Sequence, residues 1–452
     1  MYHKKTKAVL AAFCLIVIFI TFTHLKSSNN LSEISIVSVD YKDPGFKNLS
    51  GPVIYAKPAN EKSLPSYHPN EENLSLLRNT FNGSLNDAEI VKSLEYLNDN
   101  HEIINSELYG GVENIGILLV VQVHDRLEYL KLLIDSLKNV KGIEKALLVF
   151  SHDYFSEDIN GLIQNIRFCQ VVQIFYPYPM QIFHNRFPGP DPNDCPEKMK
   201  KEEAEMKQCN NWKTPDSYGN YRKAQLSQIK LHWWWKMNYV MDGIIVRYNI
   251  TAQVLLLEED HMVTPDIFYV LQKVTEIKHT MENPDNYVIS LGLFSRNYNF
   301  YQRDIFKIGV QTFYGKHNTG IVLDNGQWRA WSKCANMFCT YDDYNWDWSL
   351  IHMSYDCLPS KLTAIYAKSP RVLHIGDCGV HTHKCSSQTS ANKVKSLFER
   401  IQSSFFPEKM QITERLSKVP KISKPNGGWG DKRDHELCNN NTSPYFKTKE
   451  NS

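Results

Sequence analysis

From Ile115 onward the apolar residues fall into two periods. Ile115 to Val123 (IGILLVVQV) is too continuous a run for a strand with one wet face, and it predicts a central strand buried on both faces. After it, Leu130, Leu133, Ile134 and Leu137 fall at i, i+3, i+4 and i+7, the stripe of an amphipathic helix. Ala146 to Phe150 (ALLVF) is a second strand. Strand, helix and strand in about 35 residues make a βαβ unit. Further strands are predicted at Val171–Phe175, Val254–Leu257 and Val288–Leu291. Lys223–Val240 predicts a helix with Leu226, Ile229, Trp233, Met237 and Val240 on one face. The expected fold class is α/β: a twisted, mainly parallel sheet with helices on both faces, and a loop-rich carboxyl-terminal half. No internal repeat is evident.

Upstream the pattern changes. Lys4, Lys5 and Lys7 precede Ala8 to Phe22, an almost uninterrupted apolar stretch, and no small-x-small cleavage site follows. Residues 8–25 are therefore expected to be a retained signal anchor behind a cytoplasmic tail, residues 1–7, in a single-pass type II arrangement. So short a span suits a thin early-secretory bilayer, which points to the Golgi membrane with the rest of the chain lumenal. Residues 26–105, rich in Asn, Ser, Pro, Glu and Lys, read as a mostly extended stem with one helix near Asp87–Leu97. An ordered lumenal domain is expected over 106–446 and a tail over 447–452. Sequons at Asn30, Asn48, Asn73, Asn82, Asn249, Asn440 and Asn441 fit that address.

Composition narrows the partners. The 452 residues are 42% apolar and 12% aromatic, enough for a substantial core in one large domain or in two or three. With 51 basic against 49 acidic residues the net charge is only +2, so no basic field invites nucleic acid. Of ten cysteines, Cys14 lies in the apolar stretch, and the others permit four disulfides and one free thiol in an oxidising compartment.

Chemistry concentrates in a few stretches. Leu255-Leu256-Leu257-Glu258-Glu259-Asp260-His261 ends a buried strand on three acids. Carboxylates at such a strand end face the crevice where open α/β sheets bind ligands, and their mutual repulsion calls for a cation. A divalent metal holding a diphosphate answers it; a solvated acidic turn is the alternative. The first βα turn, Gln122-Val123-His124-Asp125-Arg126, offers N–H donors for an anion or nucleotide, without a GxGxxG. Asp153, closing the second strand, can hold a ribose or base edge, or simply cap. Thr340 to Trp348 (TYDDYNWDW) gathers four aromatics and three acids in nine residues, flat faces for pyranose rings and a base for an attacking hydroxyl. His374 ends a short apolar run. One imidazole, one carboxylate and phosphate oxygens suit Mn²⁺ somewhat better than Mg²⁺. Cys378, His381, His383 and Cys385 read as a zinc site or, better in an oxidising lumen, as a Cys378–Cys385 disulfide. Trp233-Trp234-Trp235 offers at most one sugar platform, since consecutive helical residues diverge; core packing is the better reading.

Side by side, the segments VVQVHDRLEYL, FSHD, HWWWK, LEEDH, CTYDDYNWDW, GDCG and NGGWGDKRDHELC closely resemble the N-acetylglucosaminyltransferase II family of Golgi glycosyltransferases. The resemblance implies a GT-A fold and an inverting transfer of N-acetylglucosamine (GlcNAc) from UDP-GlcNAc to the 2-hydroxyl of the α1,6-arm mannose of an N-glycan on glycoproteins. It implies Mn²⁺ ligated by Asp260 and His374. Gln122, Val123, His124, Asp125, Arg126, Asp153, Gln228, Lys230 and His232 would hold the nucleotide sugar. Asp347 would be the base, with Asn318 and Trp346 shaping the acceptor site. Disulfides Cys195–Cys209, Cys334–Cys357, Cys339–Cys438 and Cys378–Cys385 go with it, leaving Cys169 free and buried.

There are departures. Asp125 stands where the family pattern has Asn, and Tyr298 where it has a basic residue, with Arg296 a substitute; a Cys pair near 281–286 is missing. Oligomeric state, a homodimer included, is left open. Two rivals remain: a catalytically silent lumenal glycan-binding protein of the same fold, and a GlcNAc-transferase for another mannose arm.

Overall fold

The computed structural model describes residues 75–76, 87–112, 115–293, 301–376, 387–416 and 424–442. All of them belong to one unit, Tyr67–Ser452. Its strands are β1 (Ile117–Val123), β2 (Ala146–His152), β3 (Gln170–Phe175), β4 (Gln253–Glu258), β5 (His261–Val263), β6 (Tyr287–Ser290), β7 (Lys307–Thr312), β8 (Ile321–Leu323), β9 (Thr363–Ala367), β10 (Val372–His374) and β11 (Gln411–Leu416). A nine-stranded sheet runs in the order β11-β7-β9-β6-β8-β4-β1-β2-β3, and β10 pairs with β5 in a separate ladder. The β3-β2-β1-β4 half is parallel throughout, while β8 runs antiparallel to both of its neighbours.

The helices that matter here are α1 (Asp87–Asp99), α2 (Leu127–Leu137), α3 (Glu157–Gln164), α4 (Ala224–Asn238), α5 (Ile267–His279), α6 (Trp346–Asp356), α7 (Ser387–Ile401) and α8 (Lys432–Asn440). Alternate residues of β1 enter two different cores. Leu118 and Val120 pack with Leu231, Trp233 and Met237 of α4, whereas Leu119, Val121 and Val123 pack with Leu130 and Leu133 of α2, Ile159 of α3 and Val270 of α5. This two-sided burial is why the run from Ile115 lacks polar alternation, and each such side chain stabilises the fold by about 1.5–3 kcal/mol.

The tryptophan triplet is core. Trp233, Trp234 and Trp235 are each at most 2% exposed. Trp234 stacks on Phe338 at 4.4 Å and Trp235 on Tyr239 at 5.2 Å. α1, inside the expected stem, packs Ile90, Leu94 and Leu97 against Phe175 and Phe183. Its Asn98 amide both donates to the Phe175 carbonyl and accepts from the Phe175 N–H, each at 2.7 Å.

Two expectations need correction. Among the described residues the carboxyl-terminal half is not loop-rich: β7, β9 and β11 widen the sheet there, as strands too short and too mixed in polarity to carry a visible period. The Golgi membrane placement, with a type II anchor, is withdrawn. No helix among the described residues is long and apolar enough to cross a membrane. A span needs about 20 apolar residues, whereas α4 and α7 have 15 each and α4 is buried in protein. Residues 8–25 lie outside the described residues.

Disulfides close Cys195–Cys209, Cys334–Cys357 and Cys339–Cys438, and Cys169 is a buried free thiol. Cys378, Cys385, Arg296 and Tyr298 fall outside the described residues.

Candidate active site at the strand ends

Parallel register aligns the carboxyl ends of β1, β2 and β4, setting Gln122 opposite both Ser151 and Glu258. Beyond β4 the chain turns into β5, which pairs antiparallel with β10 so that His374 faces His261. That ladder brings His374 Nε2 to 3.2 Å from Asp260 Oδ2, and Arg126 Nη1 donates to the same oxygen at 2.8 Å. A Cβ on Gly376 would lie 1.9 Å from Asp260 Oδ2, so only a glycine lets the chain pass. Burial alone would raise Asp260, but the bond to His374 and the charge of Arg126 outweigh it and hold the carboxyl well below its usual range.

The three acids have separate positions. Glu259 points inward, 1% exposed, accepting from the His124 main-chain N–H at 2.8 Å and from Arg126 Nε at 2.7 Å. Asp260 keeps one oxygen, Oδ1, buried without a hydrogen-bond partner. Glu258, Asp260 and His261 each bring a ligand atom within 4.8 Å of the others. His261 is nevertheless the poorer ligand: its Nδ1 lone pair accepts the Glu258 N–H at 3.0 Å, which puts the neutral ring's proton on Nε2. His374 aims Nε2 at Asp260 instead. Two oxygens and an imidazole, with an orphaned buried carboxylate oxygen among them, fit a divalent cation.

Asp153 organises the second cluster. It accepts from His124 Nδ1 at 2.6 Å and from Gln228 Nε2 at 3.0 Å, with His232 Nδ1 at 3.1 Å. Its main-chain N–H meets the carbonyl of buried Val123 at 3.2 Å. Burial would raise Asp153, yet His232 and His124 overcome it and depress the carboxyl; burial would lower His124, yet Asp153 raises it to about 9. Asp125 is exposed beside His124.

Lys230 is not brought to this cluster. Gln228 and His232 are four residues apart and share a helix face; residue 230, between them, points the other way. Its ammonium is fully buried, donating to the Tyr341 and Asp343 carbonyls at 3.0 and 2.9 Å and lying 4.3 Å from the Trp429 ring centroid. Lys236, which sequence reasoning passed over, does share the face of Gln228 and His232, and donates to Gln122 Oε1 at 2.7 Å. The i, i+4, i+8 spacing was its available signal.

Asp347 sits in the first turn of α6, 8% exposed. Asn318 Nδ2 donates to its Oδ2 at 3.1 Å and the Trp348 N–H to its Oδ1 at 3.0 Å. Burial pushes its carboxyl up to about 6, aided by the charges of Asp343 and Glu258. Asn318 thus orients Asp347. Trp346 faces inward, stacked on Trp233 at 4.6 Å, leaving little of its ring for a sugar. Asp343 is saturated by main-chain and side-chain donors of Asn345 and Asn426, and Asp342 takes the N–H groups of Ser217 and Trp429. Asp343 thus takes four donors, whereas Asp342 and Asp347 take two each, and of those two Asp347 is the more deeply buried.

A sheet of this kind, with a cation-ready carboxylate and a polar cluster at its strand ends and a raised carboxyl in the first turn of α6, is the plan of a GT-A glycosyltransferase. The family model for N-acetylglucosaminyltransferase II (MGAT2) matches residues 91–438, and the chain belongs to that family. Among relatives named α-1,6-mannosyl-glycoprotein 2-β-N-acetylglucosaminyltransferase, that of Sus scrofa is 43% identical over 325 residues, covering 71% of this chain and 72% of the relative. That of Mus musculus is 44% identical over 326 residues, covering 71% and 73%. That of Arabidopsis thaliana is 31% identical over 345 residues, covering 74% and 76%. Solved structures are more distant: S. aureus TarS 1–349, at 8% identity, covers 57% of this chain and 60% of its own with a TM-score of 0.30. Galactosyltransferase LgtC in complex with donor and acceptor sugar analogues, at 12% identity, covers 67% and 98% with a TM-score of 0.29.

Proposed function

We propose that this glycosyltransferase moves GlcNAc from UDP-GlcNAc to the 2-hydroxyl of the α1,6-arm mannose of an N-glycan, forming a β1,2 linkage with inversion. Residues 106–446 would form the catalytic domain, with 26–105 as a stem that lends α1 to its side. The observation that carries the reading is Asp347: a buried, raised carboxyl oriented by Asn318, within electrostatic reach of Glu258 in the cation site, whereas Glu259, also raised, is held by Arg126 and the His124 N–H. A single base is what an inverting displacement needs.

Asp260 and His374 would hold Mn²⁺ with Glu258 beside them, His374 giving up the proton it now shares with Asp260. Bound there, the cation supplies positive charge against the diphosphate. His124, Arg126, Asp153, Gln228 and His232 bind and orient the nucleotide sugar, with Gln122 and the Val123 main chain at its edge and exposed Asp125 at the rim. Asp347 takes the proton from the mannose 2-hydroxyl as that oxygen bonds to the anomeric carbon from the face opposite UDP. The bond between that carbon and the phosphate oxygen breaks, and UDP leaves with the electron pair. Asp347 then returns the proton to water.

A transfer assay with UDP-GlcNAc, Mn²⁺ and defined N-glycans tests this. The expected product carries a new β1,2-GlcNAc on the α1,6-arm mannose. Product on another arm alone would overturn the acceptor assignment. UDP binding without transfer to any acceptor would leave a silent glycan-binding protein.

A further inference from the structure

The polar stripe on α4 does not stop at His232. Gln228, His232 and Lys236 stand at i, i+4 and i+8, one above another on the helix face turned to the strand ends. The first two meet Asp153. The third, 1% exposed, has one side-chain hydrogen bond among the described residues, to Gln122 Oε1 at 2.7 Å. Gln122 lies at the end of β1, between Ser151 of β2 and Glu258 of β4. It stands beside both the Asp153 cluster and the cation site.

Burial lowers Lys236 to about 7, so below that pH it is an ammonium, which has three donors and no acceptor and can meet the glutamine amide only at its oxygen. In that charged form the contact sets which way the glutamine amide points. With Oε1 held by Lys236, the planar amide turns its N–H₂ edge away from the helix, and among the described residues no protein group accepts from it. A half-buried glutamine fixed in this way offers donors only.

We propose that Lys236 is a positioning residue of the donor site, locking Gln122 so that its amide N–H₂ edge meets an acceptor oxygen of the nucleotide. The inference rests on the donor-site reading above and adds to it a residue that touches no ligand. Without Lys236 the amide is free to flip, and half of its orientations present an oxygen to an oxygen, which repels. The loss therefore falls on nucleotide binding and leaves the chemical step alone. It also explains why a lysine is buried with a single partner, an arrangement that does little for stability.

The test uses the intact chain. Lys236→Met keeps the volume and removes the donor. It should raise the KM for UDP-GlcNAc, and the Kd for UDP by calorimetry, roughly tenfold, with kcat changed by less than about twofold and no fall in thermal midpoint. Gln122→Glu preserves the contact to Lys236 but has no N–H to present, and should show the same KM loss. The double variant Lys236→Met/Gln122→Ala should be no worse than Gln122→Ala alone. An unchanged KM in Lys236→Met, a fall in kcat alone, or additive losses in the double variant would overturn the proposal. Wild-type chain that neither binds UDP nor transfers GlcNAc would instead overturn the donor-site reading itself, so the two failures are separable.

Discussion

At the ends of β1, β2 and β4, Asp153, Glu259 and Asp260 are met by the side chains of His124, His232, Arg126 and His374, whereas around the start of α6 Asp216, Asp342 and Asp343 are met mainly by main-chain N–H groups. Asp216 accepts from the main-chain N–H groups of Tyr218, Asn220 and Gly428, with only the Asn220 amide added from a side chain. A side-chain cation can rotate away and be replaced by a ligand's or a metal's charge. A main-chain donor cannot leave without taking the backbone with it. The first region is built to exchange partners and the second to hold still, although both are equally acidic in sequence. Asp347 stands at the boundary, with one main-chain and one side-chain donor.

The sharpest way to break this contrast is Asp347→Asn. Transfer should fall roughly 10³-fold, within the range for loss of a general base, while UDP binding persists. A near-normal rate would return the role of base to Asp342 or Asp343. Asp260→Ala comes next: the Mn²⁺-dependent part of UDP affinity should drop by at least the roughly 10–100-fold that loss of an outer-shell partner costs, read by calorimetry with and without metal. Unchanged metal dependence would show that the exchangeable side exchanges something else.

The raised Asp347 carboxyl, at about 6, sets a milder effect. Below that pH, kcat should fall about tenfold per unit, and above it the profile should be flat. Its sign in stability is the reverse. A carboxyl raised by folding favours the protonated native chain, so its contribution is full below the ordinary value near 4 and is lost as pH rises through about 6. Asp347→Asn should then be more stable than the parent at about pH 8 and no more stable at about pH 4, by denaturant midpoint. The smallest effect on the donor belongs to Lys230→Met. UDP affinity should stay within about twofold while the thermal midpoint falls, because Lys230 serves the carbonyls of the fixed region. A large loss of UDP affinity would put Lys230 back in the donor site.

Much of the parallel half was legible because burial on both faces writes a continuous apolar signal: β1, β2, β3, β4 and β6 all fall on predicted runs. The acids after β4 were legible as a strand-end cluster for the same reason. What brings His374 to them was not, since β5 and β10 are three residues each and too short to show a period. Trp346 and Lys230 mark another limit. Both lie in segments rich in chemistry, yet Trp346 turns to Trp233 and Lys230 to the Tyr341 carbonyl, contacts set by helix phase and by residues far along the chain. Asp342 and Asp343 differ from Asp347 only in the donors that reach them, and main-chain donors leave no trace in side-chain identity.

The β5–β10 ladder has a consequence for a chain still being made. A nascent polypeptide that has emerged as far as β9 already contains Arg126, Asp153 and Asp260, but Asp260 then has only one of its two cationic partners. The second arrives when the following segment folds back over β5, a long-range closure that must overcome its own entropy. On the proposed donor site, the Asp260–His374 pair would therefore be completed only once β10 has emerged.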